Sequence, residues 1–525
     1  MSADRASIKS AGGSVPTGPN HYDLVVVGSG AGLSVLEEGV RRGLKCALVE
    51  SGKIGGTCLN RGCIPSKILT VPADAVREAE HARKIGVDLR LERLDWDLVS
   101  RRMWAKIGEN EEMEKALAEV AGLDVYRGTG EFTGDMRMRV VPAPSAAPSA
   151  AAPAMPASEF TAERFVLATG ARSSIPPVRG LAETGCVTSE SFFGEKFPTA
   201  PWKSLVIIGG GVIAAEFAHI FSAFGTRVTI IEMGPRLLPA EEPEVGSFVA
   251  REFAKSMTVH LDSRAVAARS DGGLKVVTFE DAKTGRTGEA SGNEILVAVG
   301  RRSNADLLHP ERSGVKVDAL GWVAVNQFLE TSRPGIWAMG DAVGGYQFRH
   351  KANYDSDVCA HNLLEPSHPK VPVDYSVVPW AVYTYPQVGH VGMTERQALE
   401  AGREIYVAMH RYSEVARGYA LGYEAGDPDD GFVKLVVDRS LRILGAHVVG
   451  PQASTLVQPF VYLMNAGFSC VPPEKRGEPI IPRDLRVCPE AGSIVPIFNS
   501  MIIHPSLNEV AAWAIRALTP LNFKP

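Results

Sequence analysis

DLVVVGSGAGLSVLEEGVRRGLKCALVE, residues 23 to 50, reads as a short β-branched strand, a glycine turn, a helix and a second strand ending on an acidic residue. The same order returns at residues 205 to 232, LVIIGGGVIAAEFAHIFSAFGTRVTIIE. Short, wholly apolar strands are what a parallel sheet covered on both faces requires. A glycine turn between such a strand and a helix lets backbone N–H groups approach a pyrophosphate. Gly28 and Gly30 shape the first turn, and Glu50, twenty-two residues beyond Gly28, is placed to hold a ribose hydroxyl. Leu33 replaces the usual third glycine, with Gly32 beside it. In the second copy Gly209, Gly211 and Ala214 form the turn and Glu232 closes the strand. A carboxylate there favours the free 2′-hydroxyl of NAD over the 2′-phosphate of NADP, with Arg236 four residues on. The repeat predicts two nucleotide-binding units.

Just after the first copy, GGTCLNRGC (55 to 63) sets Cys58 and Cys63 five positions apart. Five residues of regular helix rise roughly 7.5 Å, whereas a disulfide wants Cα atoms about 4.4 to 6.8 Å apart. An undistorted helix therefore cannot bridge the pair, but Asn60 and Gly62 between them tolerate the backbone angles of a kink. A disulfide is compatible with the spacing. A metal would need two further ligands nearby, and the nearest other cysteine, Cys46, lies inside a buried strand pattern. No metal site is expected.

The 525 residues exceed what one core serves, so several units of roughly 100 to 150 residues are expected. A net charge of -5 gives no basic excess for nucleic acid or an anionic membrane. Cys46, Cys58, Cys63, Cys186, Cys359, Cys470 and Cys488 are too few for a disulfide scaffold and fit a reducing, cytoplasmic setting. The Ser/Gly/Pro-rich start reads as a disordered tail over 1–20; Asp4 and the missing amphipathic pattern argue against a mitochondrial address. The Ala/Pro/Ser tract 143–158 reads as a surface loop. From about residue 373, PWAVYTYPQVGHVG, FVKLVVD and RILGAHVVG predict antiparallel strands followed by one helix at ASTLVQPFVYLMNAG. Near the end, HPSLNE holds His504 and Glu509; Ser506 and Glu509 match a helix capping box, and Glu509 could equally orient a histidine base.

GGTCLNRGCIPSK (55 to 67), the two glycine fingerprints, FVLATGAR (165 to 172), VAVGRRSN (297 to 304), IWAMGDA (336 to 342) and HPSLNE together resemble the class I pyridine nucleotide-disulfide oxidoreductases. The resemblance implies an α/β fold of two Rossmann-like nucleotide-binding domains, for FAD and NAD, and an α+β C-terminal dimerisation domain. The expected order is an FAD-binding domain over 21–176, an NAD-binding domain over 177–299, a central part over 300–372 and the dimerisation domain over 373–525. Carried over by residue, Cys58 is the interchange thiol, Cys63 the thiol against the flavin, and Lys67 pairs with Glu216 near the flavin. Gly28, Gly30, Gly32, Glu50, Thr57, Lys67, Gly170, Asp341 and Ala342 are assigned to FAD, and Gly209, Gly211, Glu232 and Gly300 to NAD. His504 is the acid/base oriented by Glu509, reaching the cysteines of the other subunit in a homodimer. Glu232 and the IPSK ending resemble the dihydrolipoyl dehydrogenase branch, with a small dithiol or lipoyl-bearing protein as substrate. GSGAGLSVLEE, FRHKANYDSDVCAHNLL and ASTLVQPFVYLMNAG resemble mycothione reductase, an NAD(P)H-dependent reductase of a low-molecular-weight disulfide. A non-catalytic flavoprotein subunit is the third reading. Segment 468–500 is longer than the family's usual connection, and a second redox pair of Cys470 and Cys488 is a subordinate hypothesis.

Overall fold

The computed structural model describes residues 20–142, 159–466, 495–506 and 508. The tail to residue 19, the 143–158 tract, Cys470, Cys488, Glu509 and the predicted final helix lie outside the described residues.

Along the chain, the first unit contains β1 (Leu24–Val27), α1 (Gly32–Arg41), β2 (Cys46–Glu50), α2 (Gly56–Arg61), α3 (Cys63–His81), α4 (Trp96–Ala118), β3 (Leu123–Arg127) and β4 (Phe165–Leu167). The second contains β5 (Ser204–Ile208), α5 (Val212–Ala223), β6 (Arg227–Ile231), α6 (Pro243–Ala254), β7 (Thr258–His260) and β8 (Glu294–Val297). The chain then adds β9 (Ile336–Ala338), α7 (Arg349–Leu364) and a C-terminal sheet of β10 (Pro379–Val382), β11 (Gln387–Gly392), β12 (Ile405–Arg411), β13 (Phe432–Asp438) and β14 (Ile443–Gly450).

The first sheet has the order β9, β4, β1, β2, β3, every neighbour parallel. The second, β7, β6, β5, β8, is parallel as well. The third runs β10, β11, β14, β13, β12, all antiparallel. The two parallel sheets are the predicted α/β pair, and their central strands β1 and β5 are wholly buried.

Gly32 explains how the first turn tolerates Leu33. A Cβ at Gly32 would lie 2.8 Å from Val26 Cγ1 and 2.9 Å from the Ala168 Cβ. The close helix-to-sheet approach thus falls one position early. The two turns themselves are near copies: Gly28 has φ +105 and Gly209 φ +114, and a Cβ at either would meet the carbonyl oxygen of Ala168 or Ala298 at 2.3 or 2.4 Å. Only glycine fits such a turn.

The helix predicted at 453–467 is two helices, Ala453–Leu456 and α8 (Gln458–Asn465), separated at Val457. Pro459 has no N–H to donate to the turn before it, so one continuous ladder cannot form. α3, α4 and α5 share a core, with Leu69, Met103 and Ile107 packed among Phe217 and Phe221. That packing brings the cysteine-bearing helices against the second unit.

Candidate active site

The cysteine segment is built from a broken helix. α2 ends at Arg61, Gly62 adopts φ -146 and ψ -115, and α3 restarts at Cys63. A Cβ at position 62 would lie 3.1 Å from the Thr57 carbonyl oxygen, so the two helices meet closely there. Cys58 is buried and Cys63 half-buried. Cys63 opens α3, where unpaired helix N–H groups favour a thiolate. Its pKa is lowered to about 6, chiefly by a hydrogen bond from Cys58, then by the charges of Lys67 and His504, against the opposing effect of burial.

Lys67 follows Cys63 by four residues and therefore lies on the same helical face. Its Nζ donates to both carboxylate oxygens of Glu216 in α5, at 2.8 and 2.7 Å. The Tyr383 N–H donates to the same carboxylate at 3.0 Å, and Lys67 Nζ stands 4.4 Å from the Tyr383 ring centre. Glu216, 8% exposed, is thus fully engaged by the first unit and the C-terminal sheet.

His504 Nε2 lies 3.3 Å from Cys58 Sγ. The resemblance assigns this position to the partner subunit's His504; here the histidine of the same chain occupies it. Three neighbouring contacts hold the segment. Tyr383 Oη donates to the Pro505 carbonyl at 2.6 Å, Gln458 Nε2 to the Met501 carbonyl at 3.1 Å, and Asn508 Nδ2 to the Ser454 carbonyl at 3.0 Å. Glu509, the expected orienting carboxylate, lies outside the described residues.

Two cavities meet at Cys58. The first, about 340 Å³, is lined by Gly28, Gly30, Glu50, Thr57, Cys58, Cys63, Gly170, Arg301 and Asp341. Glu50 Oε2 accepts from Ser29 N–H and Oγ–H at 2.8 and 2.6 Å, and its Oε1 from Gly52 N–H at 2.6 Å. Thr169 Oγ1 and Arg301 Nε, on residues lining the same cavity, are buried without a protein partner. A diphosphate and polyhydroxyl ligand would satisfy such atoms, and these residues fit FAD. Sequence reading missed Arg301, whose Nη1 is 3.6 Å from Asp341 Oδ2. It also missed the Lys351–Asp355 pair, 2.7 Å apart and fully buried, which holds the 340 turn through a Gly340 N–H bond to Asp355 at 2.9 Å. Ala342, next to Asp341, is buried.

The second cavity, about 650 Å³, adjoins Cys58 and His504 and is mainly apolar, with Leu33, Val40, Leu59, Ile64, Met113 and Leu117 in its wall. Cys63 lines the first cavity and Cys58 lines both. In the second unit, Glu232 Oε1 accepts from the Gly234 N–H at 2.6 Å, Gly211 precedes α5, and Gly300 has φ +128. Arg236 directs Nη2 to the Pro239 carbonyl at 3.3 Å.

Two nucleotide folds, a cysteine pair beside a buried Lys–Glu pair, and a histidine on the outer sulfur define a pyridine nucleotide-linked disulfide oxidoreductase. Residues 22–356 match the model described as pyridine nucleotide-disulphide oxidoreductase, and residues 378–471 match that family's dimerisation domain. The chain belongs to this family, whose members use FAD and NAD(P)H. It is an enzyme of the disulfide oxidoreductase class, and its dimerisation domain supports a homodimer.

It is 35% identical over 461 residues to mycothione reductase of Mycobacterium tuberculosis, covering 85% of this chain and 94% of the relative. It is 31% identical over 458 residues to dihydrolipoyl dehydrogenase of Rhizobium etli, covering 85% and 92%. Among solved structures, HOCl-induced flavoprotein disulfide reductase RclA from Escherichia coli superposes with a TM-score of 0.71 at 25% identity, covering 95% of this chain and 100% of that one. No helix among the described residues is long and apolar enough to cross a membrane.

Proposed function

We propose that the enzyme is dihydrolipoyl dehydrogenase-like, oxidising a small apolar dithiol or a lipoyl-bearing protein with NAD through the Cys58/Cys63 disulfide. The observation that carries this reading is the apolar cavity ending on Cys58 and His504. An alkyl dithiol gains about 25 cal/mol per Å² of apolar surface buried there, and although Glu37, Lys106, Glu109 and Arg349 also reach the wall, the greater part of it is apolar.

In this reading His504 takes the proton of one substrate thiol, and the resulting thiolate attacks Cys58 Sγ. The Cys58–Cys63 bond breaks, a substrate–Cys58 disulfide forms, and Cys63 leaves as a thiolate. A low leaving-group pKa speeds that departure; the start of α3 favours the thiolate, and the charge of Lys67 lowers its pKa further. The second substrate thiol then attacks its own partner sulfur and passes its proton to the departing Cys58 sulfur, closing the substrate disulfide and leaving Cys58 a thiol, Cys63 a thiolate and the first proton on His504. Glu509 would orient the imidazole. Glu216 holds Lys67 one helical turn beyond Cys63. FAD, when bound, supplies two-electron hydride chemistry. Gly28, Gly30, Gly32, Glu50, Thr57, Lys67, Gly170, Asp341 and Ala342 would hold it. Gly209, Gly211, Glu232 and Gly300 would hold NAD, with the Glu232 carboxylate disfavouring a 2′-phosphate.

The 35% identity to mycothione reductase favours a second reading, reduction of a low-molecular-weight disulfide by NAD(P)H. The test is a panel of dihydrolipoamide with NAD against low-molecular-weight disulfides with NADH and NADPH. Preferred turnover of dihydrolipoamide is expected; a preference for a polar disulfide would overturn the first reading. Mixed dimers of Cys58→Ser and His504→Gln chains settle which copy supplies the histidine. Recovery of activity assigns it to the partner subunit, as the resemblance implies, and no recovery keeps the contact within one chain.

A further inference from the structure

Away from both cavities, a second cluster of reactive side chains joins the turn before α6 to the C-terminal sheet. His390 in β11 and His447 in β14 are directly opposed in the antiparallel ladder, and their Nδ1 atoms are 3.2 Å apart. Glu241 Oε2 is 2.8 Å from the same His390 Nδ1. The three residues are between 0% and 3% exposed. We propose that Glu241, His390 and His447 bind a zinc-class divalent cation.

The ring orientations carry the inference. His390 Nε2 lies 3.0 Å from the Gly392 carbonyl and His447 Nε2 lies 3.1 Å from the Met393 carbonyl. A carbonyl only accepts, so each ring carries its N–H on Nε2 and turns Nδ1 toward the cluster. Pinning the remote ring nitrogen to a backbone carbonyl is how metal-bound histidines are held. The carboxylate is anchored too: Trp380 Nε1 donates to Glu241 Oε1 at 2.6 Å, and its ring stacks on His390 at 3.6 Å. Lone pairs from two imidazoles and one carboxylate therefore converge on one buried point. Without a cation, a single proton on His390 Nδ1 must serve both neighbours.

Charge points the same way. Lys434 is 2.9 to 3.1 Å from Glu242, Glu244 and Glu395, and Glu241, next in sequence to Glu242, is a further buried carboxylate paired with His390 rather than with a lysine or arginine. A divalent cation offsets the excess. Tetrahedral zinc with bonds of about 2.0 to 2.1 Å sets its ligand atoms roughly 3.3 to 3.4 Å apart. The observed 2.8 and 3.2 Å reach that with outward shifts of a few tenths of an ångström, and all three ligand atoms lie within 4.8 Å of one another. Two nitrogen donors select zinc-class metals over magnesium or calcium. The cation would brace the β10–β11 hairpin, whose Tyr383 N–H reaches Glu216.

The test uses the oxidised full-length holoenzyme, in which the redox cysteines are closed, expressed with added zinc and passed over a mild chelator. One zinc per chain by elemental analysis is expected, with a visible cobalt(II) band after substitution. Glu241→Gln and His390→Gln should weaken binding by more than about 10-fold, while a Cys470→Ser/Cys488→Ser chain keeps the metal. Because the histidine variant removes a buried partner, the wild-type chain carries the test on its own. Substoichiometric zinc together with a Tm that added zinc does not raise would overturn the proposal. So would metal retained by Glu241→Gln or lost with the two cysteines.

Discussion

The two βαβ copies end alike and diverge immediately afterwards. Glu50 and Glu232 each close a second strand and each accept the N–H two residues on, from Gly52 and Gly234, at 2.6 Å. Beyond Gly52 the chain enters α2 and α3 and delivers Cys58 and Cys63 to the first cavity. Beyond Gly234 it makes a turn that delivers Glu241 and Glu242 to the buried histidines of the C-terminal sheet. One nucleotide module thus supports two different attachments. The strand and glycine turn set where a nucleotide lies, and the segment after the acidic residue sets what chemistry or bracing stands beside it.

The largest effect is expected from removing what only the first copy has. Cys58→Ser should abolish disulfide turnover while reduction of the bound flavin by NADH survives, as steady-state and anaerobic rapid-mixing measurements would show. Turnover that persists would break the division between the copies. His504→Gln should lower the dithiol half-reaction by roughly 10²- to 10⁴-fold, the range typical of a lost general base.

Substituting the matching glycines sharpens the comparison. Gly28→Ala and Gly209→Ala both force a Cβ onto a carbonyl oxygen at 2.3 or 2.4 Å, with about 1–2 kcal/mol of left-handed strain added. Gly28→Ala should reduce flavin content on purification. Gly209→Ala should keep flavin and raise KM for NAD about 10-fold or more. Reversal of those phenotypes would exchange the roles assigned to the copies. A smaller change is expected from Glu232→Gln, which should cut the preference for NAD over NADP by about 10-fold, the worth of a charged hydrogen bond, in paired kcat/KM measurements.

The smallest effect is the pH response of the reduced enzyme. Cys63 is depressed in the fold to about 6, below the ordinary thiol value of about 8.5. Its thiolate therefore contributes stability that is complete above the unfolded value and disappears as pH falls through about 6. The Tm difference between reduced wild type and Cys63→Ser should shrink over that interval and vanish below it.

The fold was legible because it rests on local signals: short β-branched strands, glycine turns and acidic strand ends recur in one order. Cys58 and Cys63 were visible as a pair for the same reason, and the kink at Gly62 follows from their spacing. Lys67 and Glu216 could be joined only through the family resemblance, since 149 positions separate them and neither carries a local signature. Arg301 and the Lys351–Asp355 pair were missed because their importance comes from burial. Glu241, His390 and His447 sit on three elements, so no local spacing joins them in the sequence. The predicted single helix at 453–467 erred by underweighting Pro459.

The central claim is that Cys58 faces the substrate while Cys63 faces the flavin. It is tested most directly by brief alkylation of the two-electron-reduced holoenzyme with iodoacetamide, followed by peptide mass mapping. Cys58 should be modified first, with Cys63 shielded despite its lower pKa; prior modification of Cys63 would contradict the account.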